Sequence, residues 1–239
     1  MEIKGYKDFY KQDKLSIYNM DNMELMKQIP DKYFDIAIVD PPYGIGFDSE
    51  KIGMSGGIRK DGSQRYDKTW ANRKITGYLN KQWDSAIPKI EYFLELKRIS
   101  KNQIIWGGNY MTDFLKPHGG WIVWEKGVPD GMTLSQAELA YNTCLNSINI
   151  VKILWAGYKK QVQETRIHPT QKPVSLYSWI LEKYAKEGMK IFDSHLGSGS
   201  NAIACHYAKM EFIGCELDSD YYNDSVKRIR ENTKQLQLF

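Results

Sequence analysis

Apolar residues fall in short runs bounded by Gly, Pro, Asn or Asp, and these runs alternate with stretches of helical spacing. The runs Leu15–Tyr18, Asp35–Val39, Gln103–Trp106, Trp121–Trp124, Ile148–Trp155, Lys190–Phe192 and Glu211–Cys215 predict strands. Helical spacing covers Asn22–Gln28, Lys89–Ile99, Val174–Ala185, Asn201–Ala208 and Tyr221–Thr233. Pro173 suits the first turn of its helix, where an N–H has no partner anyway, and Gly188 suits a stop. Strands alternating with helices predict an α/β fold with a mostly parallel sheet covered on both faces.

The exception is the stretch of about residues 44–82, rich in Gly, Lys, Arg and Ser and poor in apolar residues. A stretch that long inside a compact domain is a working loop or a disordered one. The 239 residues are otherwise enough for one sizeable core, so a single domain, 1–239, is expected. A net charge of +4 permits a polyanionic partner without demanding one. Cys144, Cys205 and Cys215 have neither the even count nor the paired spacing of a disulfide framework or zinc site, and are expected to be reduced and buried, with no metal. No charged-then-apolar leader opens the chain, and no apolar run approaches the roughly 18 residues that span a bilayer. A cytoplasmic protein without a membrane partner is the expectation.

Two blocks carry chemistry. The first, Phe192-Asp193-Ser194-His195-Leu196-Gly197-Ser198-Gly199-Ser200, leaves a strand and opens a helix. Gly197 and Gly199 let the backbone approach a ligand closely, and the helix start offers unpaired N–H groups. Glu216 closes the next strand, about twenty residues after Asp193, where an acidic side chain can accept both hydroxyls of a ribose. Taken alone, the glycines fit a plain strand-to-helix turn equally well. A phosphate loop does not fit, because no Gly-Lys-Ser/Thr follows, and a dinucleotide is disfavoured because its third glycine is missing near Ala202 or Ile203.

The second block, Asp40-Pro41-Pro42-Tyr43, follows the strand Asp35–Val39 at its carboxyl end, where doubly wound sheets bind ligands. The paired prolines remove backbone donors and stiffen the turn, leaving carbonyl oxygens as acceptors. The Asp40 carboxylate and such a carbonyl can accept both hydrogens of an exocyclic amine while Tyr43 stacks on the base. An aromatic amine is a poor nucleophile while its lone pair is delocalised into the ring. Acceptors fixed in advance favour the localised form and stabilise the positive charge that develops as a methyl group arrives from a positioned sulfonium. An amine enclosed this way must lie outside a duplex, so the pocket implies base flipping.

With His168-Pro169-Thr170-Gln171-Lys172-Pro173 between them, these blocks resemble the beta group of the DNA amino-methyltransferases, S-adenosylmethionine-dependent enzymes that methylate adenine N6 or cytosine N4. Catalytic block first and glycine turn last is the order of that group, and the likeness spans essentially the whole chain. It implies a circularly permuted Rossmann-like methyltransferase with a seven-stranded sheet. In that permutation the strand Leu15–Met20 lies beside the Glu216 strand, so Asp21 at its carboxyl end would accept from the adenine amine of the cofactor. Asp21 serves equally as the N-cap of the next helix, and the two roles are compatible.

The resemblance makes Asp40, Pro41, Pro42 and Tyr43 catalytic, and assigns Asp21, Thr170, Lys172, Asp193, His195, Gly197, Ser198, Gly199 and Glu216 to the cofactor. Thr170 and Lys172 are expected at its carboxylate, Lys172 as the counter-charge. His168 reads as a structural hydrogen-bonding residue. Ser194-His195 departs from the Pro-Phe usual in the family.

Double-stranded DNA is the implied partner. Arg59 and Lys60 in the 44–82 loop suit phosphate contacts, and a small target-recognition region of about residues 125–167 holds Lys159, Lys160 and Arg166. Asn109 and Tyr110, after the strand ending at Trp106, read as lining the target-base pocket, with core packing as the alternative. Aspartate at the head of the catalytic block favours adenine N6, cytosine N4 being the alternative, since its enzymes more often carry serine there. An RNA or protein amine methyltransferase fits less well, because its block usually opens with asparagine and its glycine turn comes first. An inactive DNA-binding homologue usually lacks the aspartate or the tyrosine. The resemblance also allows a homodimer and a cognate restriction endonuclease, which no local pattern marks.

Overall fold

Phe34–Val39 is buried along nearly its whole length, as a strand covered on both faces must be. It lies at the middle of a nine-stranded sheet in the computed structural model, which describes residues 2–46, 83–130, 135–156, 159–160 and 164–234. Arg59 and Lys60, with most of the 44–82 loop, fall outside the described residues. The strands are β1 (Asp8–Gln12), β2 (Leu15–Asn19), β3 (Phe34–Val39), β4 (Ser100–Trp106), β5 (Trp121–Glu125), β6 (Ala137–Asn142), β7 (Ile148–Lys152), β8 (Trp155–Ala156), β9 (Lys159–Lys160), β10 (Lys190–Asp193) and β11 (Glu211–Glu216). The large sheet runs β1-β2-β11-β10-β3-β4-β6-β5-β7, while β8 and β9 form a separate antiparallel pair.

From β2 to β4 every pairing is parallel. The earliest strands of the chain thus flank its latest ones, which is the permuted Rossmann-like order. β2 beside β11 brings Asn19 level with Glu216, so Asp21 and Glu216 share one rim. The nine strands exceed the expected seven by β1 and β6. β1 is an edge strand with one buried residue, Tyr10. β6 reads Ala-Glu-Leu-Ala-Tyr-Asn, and pairs antiparallel with both β4 and β5. The predicted strand Ile148–Trp155 breaks after Lys152, because its partner β5 ends at Glu125 and Gly127 turns away at φ +67°.

The helices are α1 (Asn22–Met26), α2 (Ile90–Ile99), α3 (Val174–Tyr184), α4 (Ser200–Tyr207) and α5 (Ser219–Thr233). Asp21 caps α1, accepting from the N–H groups of Met23 and Glu24, and Asp218 caps α5 in the same way. α1 packs with α2, whereas α4 packs with both α3 and α5. The connections from β3 to β4 and from β10 to β11 run in opposite directions along the sheet, and the right-handed rule for parallel crossovers then sets α2 and α4 on opposite faces. No helix among the described residues is long and apolar enough to cross a membrane. Cys205 and Cys215 are buried as expected, but Cys144, beyond the end of β6, is only partly so.

By its contacts the chain divides into two compact units, Met1–Pro41 with Pro88–Phe239, and Pro42–Ile87. The sheet and the five helices among the described residues belong to the first.

Candidate active site

Asp40 leaves the carboxyl end of β3, and its Oδ2 accepts from Lys172 Nζ at 2.5 Å. Lys172 is buried, lies over the Trp106 ring at 5.4 Å, and stands 3.2 Å from Glu138 Oε2. Glu138 Oε1 in turn meets Lys126 Nζ at 2.9 Å. Burial alone would lower the Lys172 ammonium, but Asp40 and Glu138 outweigh it and raise it above its ordinary value. Burial would raise the Glu138 carboxyl, yet Lys172 and Lys126 hold it below the usual range. Asp40, just past β3, and Glu138, on β6, are two carboxylates beside Lys172. Glu138 and Lys126 have no local sequence signature that explains their charge.

The glycine turn is built by polar side chains that tie it to its neighbours. Asp193, at the end of β10, is buried, and its oxygens accept from the His195 N–H at 3.0 Å and from Asn201 Nδ2 at 3.0 Å. Burial pushes this carboxyl up to about 7. The same Asn201 amide donates to the Ile38 carbonyl at 3.1 Å, joining the turn to the strand that carries Asp40. Gly197 and Gly199 both have positive φ, +52° and +74°. The Gly197 N–H donates to Glu216 Oε2 at 3.0 Å, and the Asp218 N–H to Glu216 Oε1 at 3.0 Å. Burial raises the Glu216 carboxyl. Ser198 is buried, with its hydroxyl 3.1 Å from that of Ser200, and Ser200 donates to the Lys172 carbonyl at 2.7 Å.

His195 accepts from Asn22 Nδ2 at its Nε2, 3.0 Å away, so its Nδ1 carries the proton and faces Ser194 Oγ at 2.8 Å. Ser194 Oγ also meets the Tyr92 hydroxyl at 2.7 Å. Burial lowers His195 to about 4, leaving it neutral near pH 7. A polar chain therefore runs from α2 through the turn to α1 at Ser194-His195.

His168 hydrogen-bonds within its own segment and packs on α5. Its Nδ1 lies 3.1 Å from Thr170 Oγ1, and its ring packs edge-on to Tyr221 at 4.5 Å. Arg166 is turned back on the carbonyls of His168 and Pro169. Asn109 and Tyr110 form a 3-10 turn after β4 and are exposed, so the core-packing alternative does not hold for them. Lys159 and Lys160 supply the backbone of β9.

In the second unit, the N–H groups of Tyr43 and Gly44 both donate to Asp84 Oδ1, at 2.7 and 2.9 Å. Asp84 is buried and fixes the turn that follows the paired prolines. Sequence reasoning missed it because it lies some forty residues downstream, beyond the loop.

Comparison with known proteins comes to the same fold. The DNA methylase model of the N6/N4 methyltransferases matches residues 132–227, a range that includes Glu138, His168–Pro173, the glycine turn and Glu216. The chain is 23% identical over 275 residues to the type II methyltransferase M2.DpnII of Streptococcus pneumoniae, covering 93% of this chain and 92% of that protein. It is 22% identical over 267 residues to the type II methyltransferase M.ScaI of Streptomyces caespitosus, covering 96% and 86%. Among solved structures, the PvuII DNA methyltransferase, described as cytosine-N4-specific, matches with a TM-score of 0.57 at 12% identity, over 95% of this chain and 94% of that one. The M1.HpyAVI–SAM complex matches at 0.52 and 18% identity, over 90% and 99%.

Proposed function

We propose, from its similarity to the DNA amino-methyltransferases of the N6/N4 group, that the chain methylates the N6 amine of an adenine turned out of duplex DNA, using S-adenosylmethionine. The observation that carries the reading is the common rim of β3, β10, β11 and β2, which presents Asp40, Asp193, Glu216 and Asp21 at successive carboxyl ends.

The donor set fits the cofactor. Glu216 is a carboxylate at the strand end where ribose hydroxyls are bound, and Asp21, two residues past its level on β2, suits an adenine amine. A Cβ added at Gly197 would meet nothing nearer than the His168 ring at 3.9 Å, so the turn leaves room for a ligand against its backbone. Thr170 hydrogen-bonds His168 beside that turn, and neutral His195 adds a polar wall where a charged imidazole would repel a sulfonium. When bound, S-adenosylmethionine supplies an electrophilic methyl group.

The chain's own contribution is positioning and charge stabilisation. Asp40 accepts one hydrogen of the target amine and the Pro41 carbonyl the other, which localises the nitrogen lone pair. Lys172 holds Asp40 as a carboxylate, an acceptor instead of an acid. Pro42 stiffens the tetrapeptide and Tyr43 stacks on the base. Asn109 and Tyr110 line the base pocket, and Arg59, Lys60, Lys159, Lys160 and Arg166 serve the DNA. A second copy of the chain and a cognate restriction endonuclease are partners this reading allows.

The test is incubation with methyl-labelled S-adenosylmethionine and mixed-sequence duplex DNA, followed by digestion to nucleosides. Label in N6-methyladenosine is expected. Label in N4-methylcytidine moves the target to cytosine, and label confined to RNA or protein overturns the reading. Asp40→Ala should abolish transfer while leaving cofactor binding intact; activity within about tenfold of wild type removes Asp40 from its role.

A further inference from the structure

Glu138 is a charged residue on an interior strand, and its charge has no role in the reading so far. β6 lies between β4 and β5, where a side chain is ordinarily apolar or neutralised. Its neighbours make the charge intelligible. Lys172, with 4% of its side chain exposed, stands 2.5 Å from Asp40 Oδ2 and 3.2 Å from Glu138 Oε2. Glu138 Oε1 meets Lys126 at 2.9 Å. Asp40, Lys172, Glu138 and Lys126 therefore alternate in sign and are together neutral. Tyr177 of α3 and the Asp193 carboxyl of β10 face the same cluster, and burial pushes the Tyr177 phenol well above its ordinary value.

A cation paired with one carboxylate alone draws that carboxylate's lone pairs toward itself and weakens it as an acceptor for anything else. A second carboxylate on the same ammonium divides that pull. We propose that Glu138 is a positioning residue for methyl transfer: it shares the Lys172 ammonium with Asp40, so that Asp40 is held in one orientation yet keeps the electron density that an amine hydrogen needs. The inference rests on the proposed methyltransferase reading and adds a residue to it. Without Glu138, Lys172 would place its full charge on Asp40, and Lys126 would stand nearby as a second, less balanced cation.

The test uses the full chain with Glu138→Gln and Glu138→Asp, assayed for transfer to mixed-sequence duplex DNA across pH. Glu138→Gln is expected to lower kcat about tenfold or more, the scale of one charge-assisted hydrogen bond, with KM for S-adenosylmethionine changed less than about twofold. Because Glu138 raises the Lys172 ammonium, its loss should move the alkaline limb of kcat to lower pH. Glu138→Asp should recover part of kcat. Lys126→Gln strips Glu138 of its other cation, and should move the limb the opposite way; this variant decides the matter if Glu138→Gln does not fold. An unmoved limb in both variants, or loss of unfolding temperature with kcat unchanged, overturns the proposal. If wild type methylates no DNA, the functional reading falls on its own. Nitrogen NMR titration of Lys172 in the DNA-free protein then tests Glu138 separately, and an unshifted titration in Glu138→Gln overturns its role.

Discussion

Arg228 and Glu164 meet as a buried ion pair, Nη2 to Oε2 at 2.6 Å, with 6% and 11% of their side chains exposed. The other oxygen of Glu164 accepts from the Val174 N–H at 3.0 Å, capping α3 from ten residues upstream. The other arm of Arg228 donates to the Ser198 carbonyl at 2.7 Å. One pair thus ties the last helix, the glycine turn and the start of α3 together.

Removing one partner takes from the other its buried counter-charge. Arg228→Met or Glu164→Leu alone should therefore cost about 3–5 kcal/mol, with the double variant costing clearly less than the sum of the two. Urea unfolding of the three variants checks this. Additive losses would mean that the two side chains act separately.

The two glycines of the turn should separate in their effects. At Gly199, φ is +74° and an added Cβ would lie 2.9 Å from Ile229 Cδ1 and 3.1 Å from Cγ1, so Gly199→Ala combines backbone strain with crowding against α5. At Gly197, φ is +52° and the nearest atom is 3.9 Å away, so Gly197→Ala meets the strain alone, on the order of 1–2 kcal/mol. Thermal unfolding should show the larger loss for Gly199→Ala, and calorimetry should show weaker S-adenosylmethionine binding for Gly197→Ala. Equal unfolding losses contradict the packing argument.

His195 gives a pH dependence with a definite sign. Burial lowers it to about 4, whereas an unfolded histidine titrates near about 6.5. Its contribution to stability is whole above the unfolded value and is lost as pH falls through about 4. Protonation would in addition turn the Nε2 acceptor into a donor facing the Asn22 amide. Asp193 has the opposite sign, its raised carboxyl favouring the fold at low pH and losing that contribution as pH rises through about 7. His195→Phe removes the first effect and retains the backbone N–H on which Asp193 depends. Unfolding free energies at pH 7 and pH 4.5 should show wild type losing more on acidification than the variant; parallel losses rule His195 out as the source.

The sequence made the parallel strands legible because β3, β10 and β11 are apolar on both faces, and a continuous apolar run between turn residues has few other readings. It left β6 unread because Ala, Glu and Asn obscure the pattern, and Glu138 is tolerated there by the ammonium groups of Lys172 and Lys126. β1 was equally opaque, since an edge strand needs little apolar content. Asp40, the glycine turn and Glu216 declared themselves by local spacing. The partner of Asp40 could not, because Lys172 lies 132 residues away and an ion pair leaves no periodicity in either segment. Glu164, Arg228 and Asn201 were hidden for the same reason: each acts on a carbonyl, a helix start or a carboxylate set by tertiary structure.

β2 completes its ladder only against β11, and β3 only between β10 and β4. On a ribosome, the first two of these strands emerge long before the partners that cover them, so the nascent chain must carry apolar edges through most of its synthesis. The rim that gathers Asp21, Asp40, Asp193 and Glu216 is closed last by β11, the strand that joins β2 to β10, so a polypeptide truncated before Glu211 keeps the partners for the Asp40 and Asp193 strands but has neither Glu216 nor the strand that sets Asp21 beside them.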